Sequence, residues 1–185
     1  MTELLKNGFS AMKLSVSDAQ IAQLEDFTAR MLETNKVMNL TRITDPKEIA
    51  EKHLLDCASL LQAADFSKKS VVDVGCGAGF PGMPLHILCP SCKLTLLDSL
   101  GKRIRFLQGC IDAMNLSNIE AVHARAEEFA AKHREQYDFA VSRAVAQLNV
   151  LAELSLPLVK QGGAFIAMKS KDTDEELERA KKAIR

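Results

Sequence analysis

Two periodicities divide the chain. Between Ser17 and Leu61 apolar residues recur three and four positions apart, the spacing of helices with one buried face. From Ser70 onward, short β-branched and aliphatic runs alternate with helical stretches. In the first part Ser17 and Gln20 form a capping-box pattern, followed by Ile21, Leu24, Phe27, Met31 and Leu32 on one face. Residues 35–44 are polar and read as a loop. Asp45 is placed to cap a second helix, with Pro46 at its first position and Glu48 in its first turn. Ile49, Leu54, Cys57, Leu60 and Leu61 form its apolar stripe.

The second part predicts strands over residues 70–75, 93–98, 118–123, 137–143 and 163–169. Residues 82–89, 101–116, 124–134 and 146–161 predict the helices between them. Five short strands separated by helices imply a mostly parallel sheet covered on both faces, with right-handed crossovers. A last helix begins with Asp172, Asp174, Glu175 and Glu176 and ends with Lys181, Lys182 and Arg185, in accord with the helix dipole. The fold class is therefore α/β. A helical segment over 1–65 is expected to pack on an α/β domain over 66–185, the two forming one globular unit.

Composition narrows the classes. At 185 residues and 47% hydrophobic, the chain has apolar matter for one well-buried domain. No apolar run approaches the roughly 18 residues that span a bilayer. The first ten residues include Glu3 and lack the apolar centre of an export signal, so the cytosol is the expected compartment. Five cysteines, an odd count, should be free thiols there. Cys89 and Cys92 make a C-x-x-C, but a second ligand pair is missing, so no metal is assigned. With 24 basic and 24 acidic residues the net charge is zero, so any affinity for RNA must come from a local patch.

Residues 71–82 are the strongest chemical signal: an apolar strand, Asp73, then Gly75, Gly77, Gly79 and Gly82. Glycines permit positive φ and close approach of backbone to a ligand, and the following helix start presents free amides. Residues 77–82 also match the dinucleotide fingerprint G-x-G-x-x-G. Asp73 tilts the balance, because a strand-end carboxylate repels a pyrophosphate and attracts the ammonium of an amino acid. That favours the methionyl part of S-adenosylmethionine over NAD. Asp98 ends the next strand 25 residues on, where a carboxylate can accept from both ribose hydroxyls. Glu127 follows the third strand, and also reads as an ordinary first-turn acid. Arg143 ends the fourth strand, where substrate would meet cofactor, and also reads as a surface ion pair.

Together these segments resemble the glucose-inhibited division protein B family. The likeness runs through residues 73–85, Leu97-Asp98-Ser99-Leu100 with Lys102-Arg103, Arg125-Ala126-Glu127-Glu128 and Ser142-Arg143-Ala144-Val145-Ala146. It extends to Asn39-Leu40-Thr41-Arg42-Ile43 and His53-Leu54-Leu55-Asp56, and so covers nearly the whole chain. The resemblance implies a Rossmann-like class I methyltransferase fold and S-adenosylmethionine as cofactor. It implies methylation of guanine N7 in small-subunit (16S) ribosomal RNA, naked or in a ribosomal particle; a monomer is expected. Cofactor contacts are expected at Gly75, Gly77, Phe80, Asp98, Ser99, Leu100, Ala126, Glu127 and Arg143. Two departures stand out: Met168-Lys169-Ser170 replaces the family's Met-Lys-Gly, and two further C-terminal strands of the family are expected to be missing.

Guanine N7 carries a lone pair and no proton, so an in-line displacement needs no general base, and no catalytic residue is assigned. After the fourth strand there is neither an Asn-Pro-Pro-Tyr-like segment for amino-group methylation nor a Pro-Cys nucleophile for carbon methylation. Arg42, His53 and Lys169 are the RNA-contact candidates, with Lys52 and Arg143 adding to a basic rim; His53 reads equally as a satisfied buried histidine. Other readings of the same fold are a small-molecule methyltransferase, an NAD-dependent oxidoreductase and a non-catalytic binding module.

Overall fold

The computed structural model describes residues 1–143, 146–169 and 174–184. Ala144 and Val145 of the fourth-strand motif, Ser170, Asp172 and Arg185 lie outside the described residues. Strands β1 (Ser70–Val74), β2 (Lys93–Asp98), β3 (Ile119–His123), β4 (Tyr137–Ser142) and β5 (Val159–Ala167) pair in the order β3-β2-β1-β4-β5. Every neighbouring pair is parallel. The chain steps outward from β1 to β3, then returns to lay β4 on the other side of β1. That reversal opens a crevice at the carboxyl ends of the strands.

Alternation along β1 sends Val71 into one apolar cluster and Val72 and Val74 into another on the opposite face. On the Val71 face, α6 (Gly82–Leu88) buries Met83, Leu85 and Ile87, and α7 (Gly101–Ala113) buries Ile104 and Leu107. On the other face α8 (Ala126–Lys132) contributes Phe129 and Ala130, and α9 (Leu148–Ser155) adds Leu154. A last helix, α10 (Asp174–Ile184), packs on α9. Among the described residues no helix is long and apolar enough to cross a membrane.

The N-terminal segment joins the same core. Two helices, α1 (Thr2–Ala11) and α2 (Asp18–Met38), place Leu5, Phe9, Ile21, Leu24, Phe27 and Met31 in the cluster that α6 and α7 share. The capping box at Ser17 and Gln20 is complete. Gln20 Nε2 also donates to the carbonyls of Ile87 and Leu88, at 3.0 Å each, occupying groups that the end of α6 leaves open. Asp45 caps α3 (Pro46–Ile49) as expected. The helix then passes through a π-helical stretch, Ala50–Leu55, before α4 (Asp56–Ala58) and α5 (Leu60–Ala63). The wider turn brings His53 inward beside Leu54, so both are buried.

The structure corrects four boundaries. It adds α1, whose Leu5 and Phe9 are one turn apart but which lacks a side-chain cap to announce it. It carries α2 through residues 35–38, ending at Asn39 with φ 48°, a left-handed stop that asparagine tolerates. The helix expected over 146–161 ends at Ser155, and one 3₁₀ turn over Leu156–Leu158 leads into β5. Pro157 has no N–H for the helix ladder, and its ring collides with the preceding turn. Strand β5 therefore starts at Val159, earlier than its apolar run suggested.

A register shift between Tyr137 and Phe139 accommodates the early part of β5. Gly162 there has φ 79°, and a Cβ on Gly163 would lie 2.5 Å from the Asp138 carbonyl oxygen. Gly163→Ala must displace backbone, so it is expected to lower stability by about 1–3 kcal/mol. The urea unfolding midpoint measures this; an unchanged midpoint would show that the bulge yields freely.

Candidate active site

Strand β1 delivers Asp73 and the glycine loop to the crevice. Asp73 is fully buried, and its Oδ2 accepts the Gly82 N–H at 2.8 Å. Its Oδ1 is buried without a hydrogen-bond partner among the described residues. A Cβ on Gly82 would stand 2.7 Å from that Oδ2 and 2.3 Å from Leu96 Cδ2, so only glycine fits where α6 meets β1 and β2. The carboxylate expected to meet a ligand's ammonium is therefore turned inward, where it holds the loop against the helix. Phe27 of α2 supports the loop from beneath, its ring 5.6 Å from that of Phe80 in an edge-to-face arrangement.

Asp98, at the end of β2, is 5% exposed. Its Oδ2 accepts from Gly77 N at 2.9 Å and its Oδ1 from Leu100 N at 2.8 Å. Arg103 Nη1 lies 3.4 Å from Oδ2. Gly75 turns at φ 72° with open space where a side chain would stand. Around these groups lies a cavity of about 420 Å³ that includes Gly75, Asp98, Ser99, Leu100, Ala126 and Glu127 in its lining. The structure thus gathers six of the nine expected cofactor residues around one space. It also brings in Arg103, Leu151 and Leu154. The two leucines are three apart on α9, but their helical spacing alone could not say which side of the sheet they face.

Gly77 acts through its N–H on Asp98, while Phe80 and Arg143 belong to a neighbouring cluster. Ser142 Oγ donates to the Val74 carbonyl at 2.7 Å, fastening the end of β4 to that of β1. Arg143 follows directly, with its Cζ 4.9 Å from the Phe80 ring centroid. Its Nη1 donates to the Lys52 carbonyl at 3.1 Å and lies 3.4 Å from Asp56 Oδ2; its Nη2 lies 3.0 Å from His53 Nδ1. His53 stacks on Phe80, ring centroids 4.5 Å apart, and its Nε2 is 3.2 Å from Thr41 Oγ1. Burial first, and then the Arg143 charge, push the His53 pKa down to about 4.

The expected basic rim is mostly taken up by partners within the chain. Lys52 pairs with Glu48, and Arg143 with Asp56. Lys169 Nζ donates to the Ala146 carbonyl at 2.8 Å and pairs with Glu176 at 2.7 Å, which ties α10 to the start of α9. His53 is 9% exposed, whereas Arg42 stands in solvent. The three RNA-contact candidates thus differ in kind: one exposed cation, one ion-paired cation and one buried neutral ring.

Comparison with known proteins bears on this geometry. The profile of the GidB family, described as rRNA small subunit methyltransferase G, matches residues 20–185. The ribosomal RNA small subunit methyltransferase G of Alkaliphilus metalliredigens is 46% identical over 184 residues, 98% of this chain and 77% of that protein. Its counterpart in Ligilactobacillus salivarius is 46% identical over 188 residues, 98% of this chain and 78% of the other. Among solved structures, P. horikoshii TYW2 in complex with MeSAdo superposes with a TM-score of 0.59 at 15% identity. The match covers 76% of this chain and 53% of that one, about half its length. Precorrin 8w decarboxylase from Methanobacterium thermoautotrophicum gives 0.56 at 20% identity, over 78% of this chain and 74% of that one. These two likenesses concern the fold alone, and it is the Rossmann-like class I methyltransferase fold.

Burial raises the Asp73 pKa to about 7, against the pull of the Gly82 N–H and of Arg143. Since the folded state holds the proton more tightly than the unfolded chain, this group's contribution is full below the unfolded carboxylate range. It is lost as pH rises to about 7. Asp73→Asn keeps an acceptor for Gly82 and cannot ionise. Relative to wild type the variant should gain on the order of 2 kcal/mol between pH 5 and pH 8. Denaturant titrations at both pH values read this directly, because His53 is common to both proteins and cancels. A difference that stays flat would refute a proton on Asp73.

Proposed function

This chain belongs to the rRNA small subunit methyltransferase G family, and on that premise we propose that it methylates guanine N7 of small-subunit ribosomal RNA with S-adenosylmethionine. It does so as a cytoplasmic monomer, on the RNA or on a ribosomal particle, with residues 66–185 holding the cofactor and residues 1–65 packed behind them. The observation that carries the reading is the cavity at the ends of β1, β2 and β3 with Asp98 at its base. Its size falls in the range of small-molecule sites, ~300–1,000 Å³. Leu100, Ala124, Ala126, Leu151 and Leu154 give it apolar walls suited to an adenine ring. Asp98 Oδ2 takes the Gly77 N–H and Arg103 Nη1, while Oδ1 accepts only the Leu100 N–H and keeps a lone pair for a ribose hydroxyl. The donor and acceptor set therefore fits the cofactor.

When bound, S-adenosylmethionine supplies an electrophilic methyl on its sulfonium. Guanine N7 offers its lone pair with no proton to remove, so the residues of this chain orient, desolvate and polarise rather than act as acid or base. Gly75 leaves room for close approach, Gly77 and Asp98 keep the loop in shape, and Ser99, Leu100, Ala126 and Glu127 border the cavity. Phe80 and Arg143 stand at the reversal between β1 and β4, on the side from which a base would enter. Arg42 is the RNA candidate with an exposed charge; Lys169 contributes by fastening α10, and His53 by a route argued below.

Calorimetric titration of S-adenosylmethionine, with NAD in parallel, tests the cofactor. Binding should be weakened roughly tenfold or more in Asp98→Ala, with no response to NAD. Methyl transfer from labelled cofactor to small-subunit RNA or particles, with the product nucleoside identified, tests the target. A folded wild-type protein that binds no S-adenosylmethionine, or that methylates another nucleoside, would overturn the reading.

A further inference from the structure

Thr41, His53, Phe80 and Arg143 come from four separate stretches of chain and meet in one contact set. His53 Nδ1 lies 3.0 Å from the Arg143 guanidinium, which can only donate, and 3.1 Å from the Lys52 carbonyl, which can only accept. Because that carbonyl already accepts from Arg143 Nη1, the guanidinium decides the tautomer, with the lone pair on Nδ1 and the proton on Nε2. Nε2–H then donates to Thr41 Oγ1. Thr41 is itself held, since its Oγ1 also accepts from Ile43 N at 3.1 Å and its N–H donates to Asn35 Oδ1 at 2.9 Å. The imidazole is thus fixed at both nitrogens and across its face by Phe80. What it fixes in turn is Arg143, one residue beyond the strand end where the sheet order reverses.

We propose that His53 is a positioning residue for methyl transfer, its Nδ1 lone pair holding the Arg143 guanidinium over Phe80 at the mouth of the crevice. The proposal rests on the methyltransferase reading above. A guanidinium held there offers N–H donors to the acceptor edge of guanine, where O6 adjoins the reacting N7. Two other roles fit His53 poorly. It is 9% exposed and neutral, which ill suits a phosphate ligand. N7 has no proton for a general base to take. The N-terminal segment, which supplies Thr41 and His53, becomes through this contact part of the active site rather than a support beneath it.

Two near-isosteric variants separate positioning from packing. His53→Asn keeps an acceptor near Nδ1 and loses the Nε2 end; His53→Gln keeps the Nε2 end and loses Nδ1; both remove the stacked ring. In proteins of matched melting temperature, His53→Gln should lower kcat roughly tenfold with KM for RNA little changed, and His53→Asn should restore kcat to within about threefold of wild type. In an Arg143→Ala background, His53→Gln should cost nothing further. Equal losses in the two variants, or losses that add to that of Arg143→Ala, would mean that His53 only fills space.

A readout free of catalysis accompanies these. The Arg143 Nη–H resonances, identified by their loss in Arg143→Lys, should be resolved in wild type and His53→Asn and averaged by rotation in His53→Gln. Resonances insensitive to His53→Gln overturn the proposal even if RNA is methylated. Resonances that behave as stated in a chain that methylates no RNA leave the anchoring intact and overturn the methyltransferase reading instead.

Discussion

The Asp73 carboxylate accepts the Gly82 N–H in a site closed to water, and the path of the glycine loop follows from that bond. A buried acceptor without a donor is expensive, so the start of α6 cannot drift from the end of β1 while Asp73 stays in place. Asp98 does the same from β2, taking the N–H groups of Gly77 and Leu100. Between them the two carboxylates join β1, β2, the loop and the approach to α7 in one network. The cavity is what that network leaves open. Asp73 Oδ1 has no partner among the described residues, and Asp98 Oδ1 has a lone pair to spare for a ligand.

The loop is also held from behind. Gly79 packs so closely on Leu107, Met83 and Phe27 that a Cβ there would lie within 3.0 Å of all three. Phe27 belongs to α2, so a helix distant in sequence sets the underside of the loop. Gln20 fastens the same helix to the end of α6. The shared core of Leu5, Phe9, Leu24 and Met31 with Met83, Ile104 and Leu107 makes the two parts of the chain one packed body. A shift in α2 would move the glycine loop with it, which links the N-terminal helices to the site mechanically as well as through His53.

Charge is arranged in the same inward-looking way. Lys52, Arg143 and Lys169 each answer an acid of the chain, and Arg103 leans toward Asp98. For a neutral molecule this leaves little long-range field to draw RNA. Recognition then depends on short-range fit at the crevice more than on steering, which suits an enzyme whose reaction needs alignment and no proton transfer.

The sequence by itself determined the five parallel strands, the cap at Ser17, the glycine loop and the acid at Asp98. Each is written in local spacing: alternation for strands, a three-residue step for a capping box, glycines where positive φ is needed. It also determined the family, because those motifs recur together in one order. Only the tertiary structure decided what the side chains do. Asp73, read as a ligand for an ammonium, is buried against Gly82, since burial depends on how α6 packs across β1. Lys169, an RNA-contact candidate, also pairs with Glu176, and His53 is turned inward by a π-helical stretch that no periodicity announces. Val159 begins a strand although its apolar run continues from α9, because its partner Tyr137 lies elsewhere in the chain. Partners distant in sequence set these contacts, and local pattern carries no information about who those partners are.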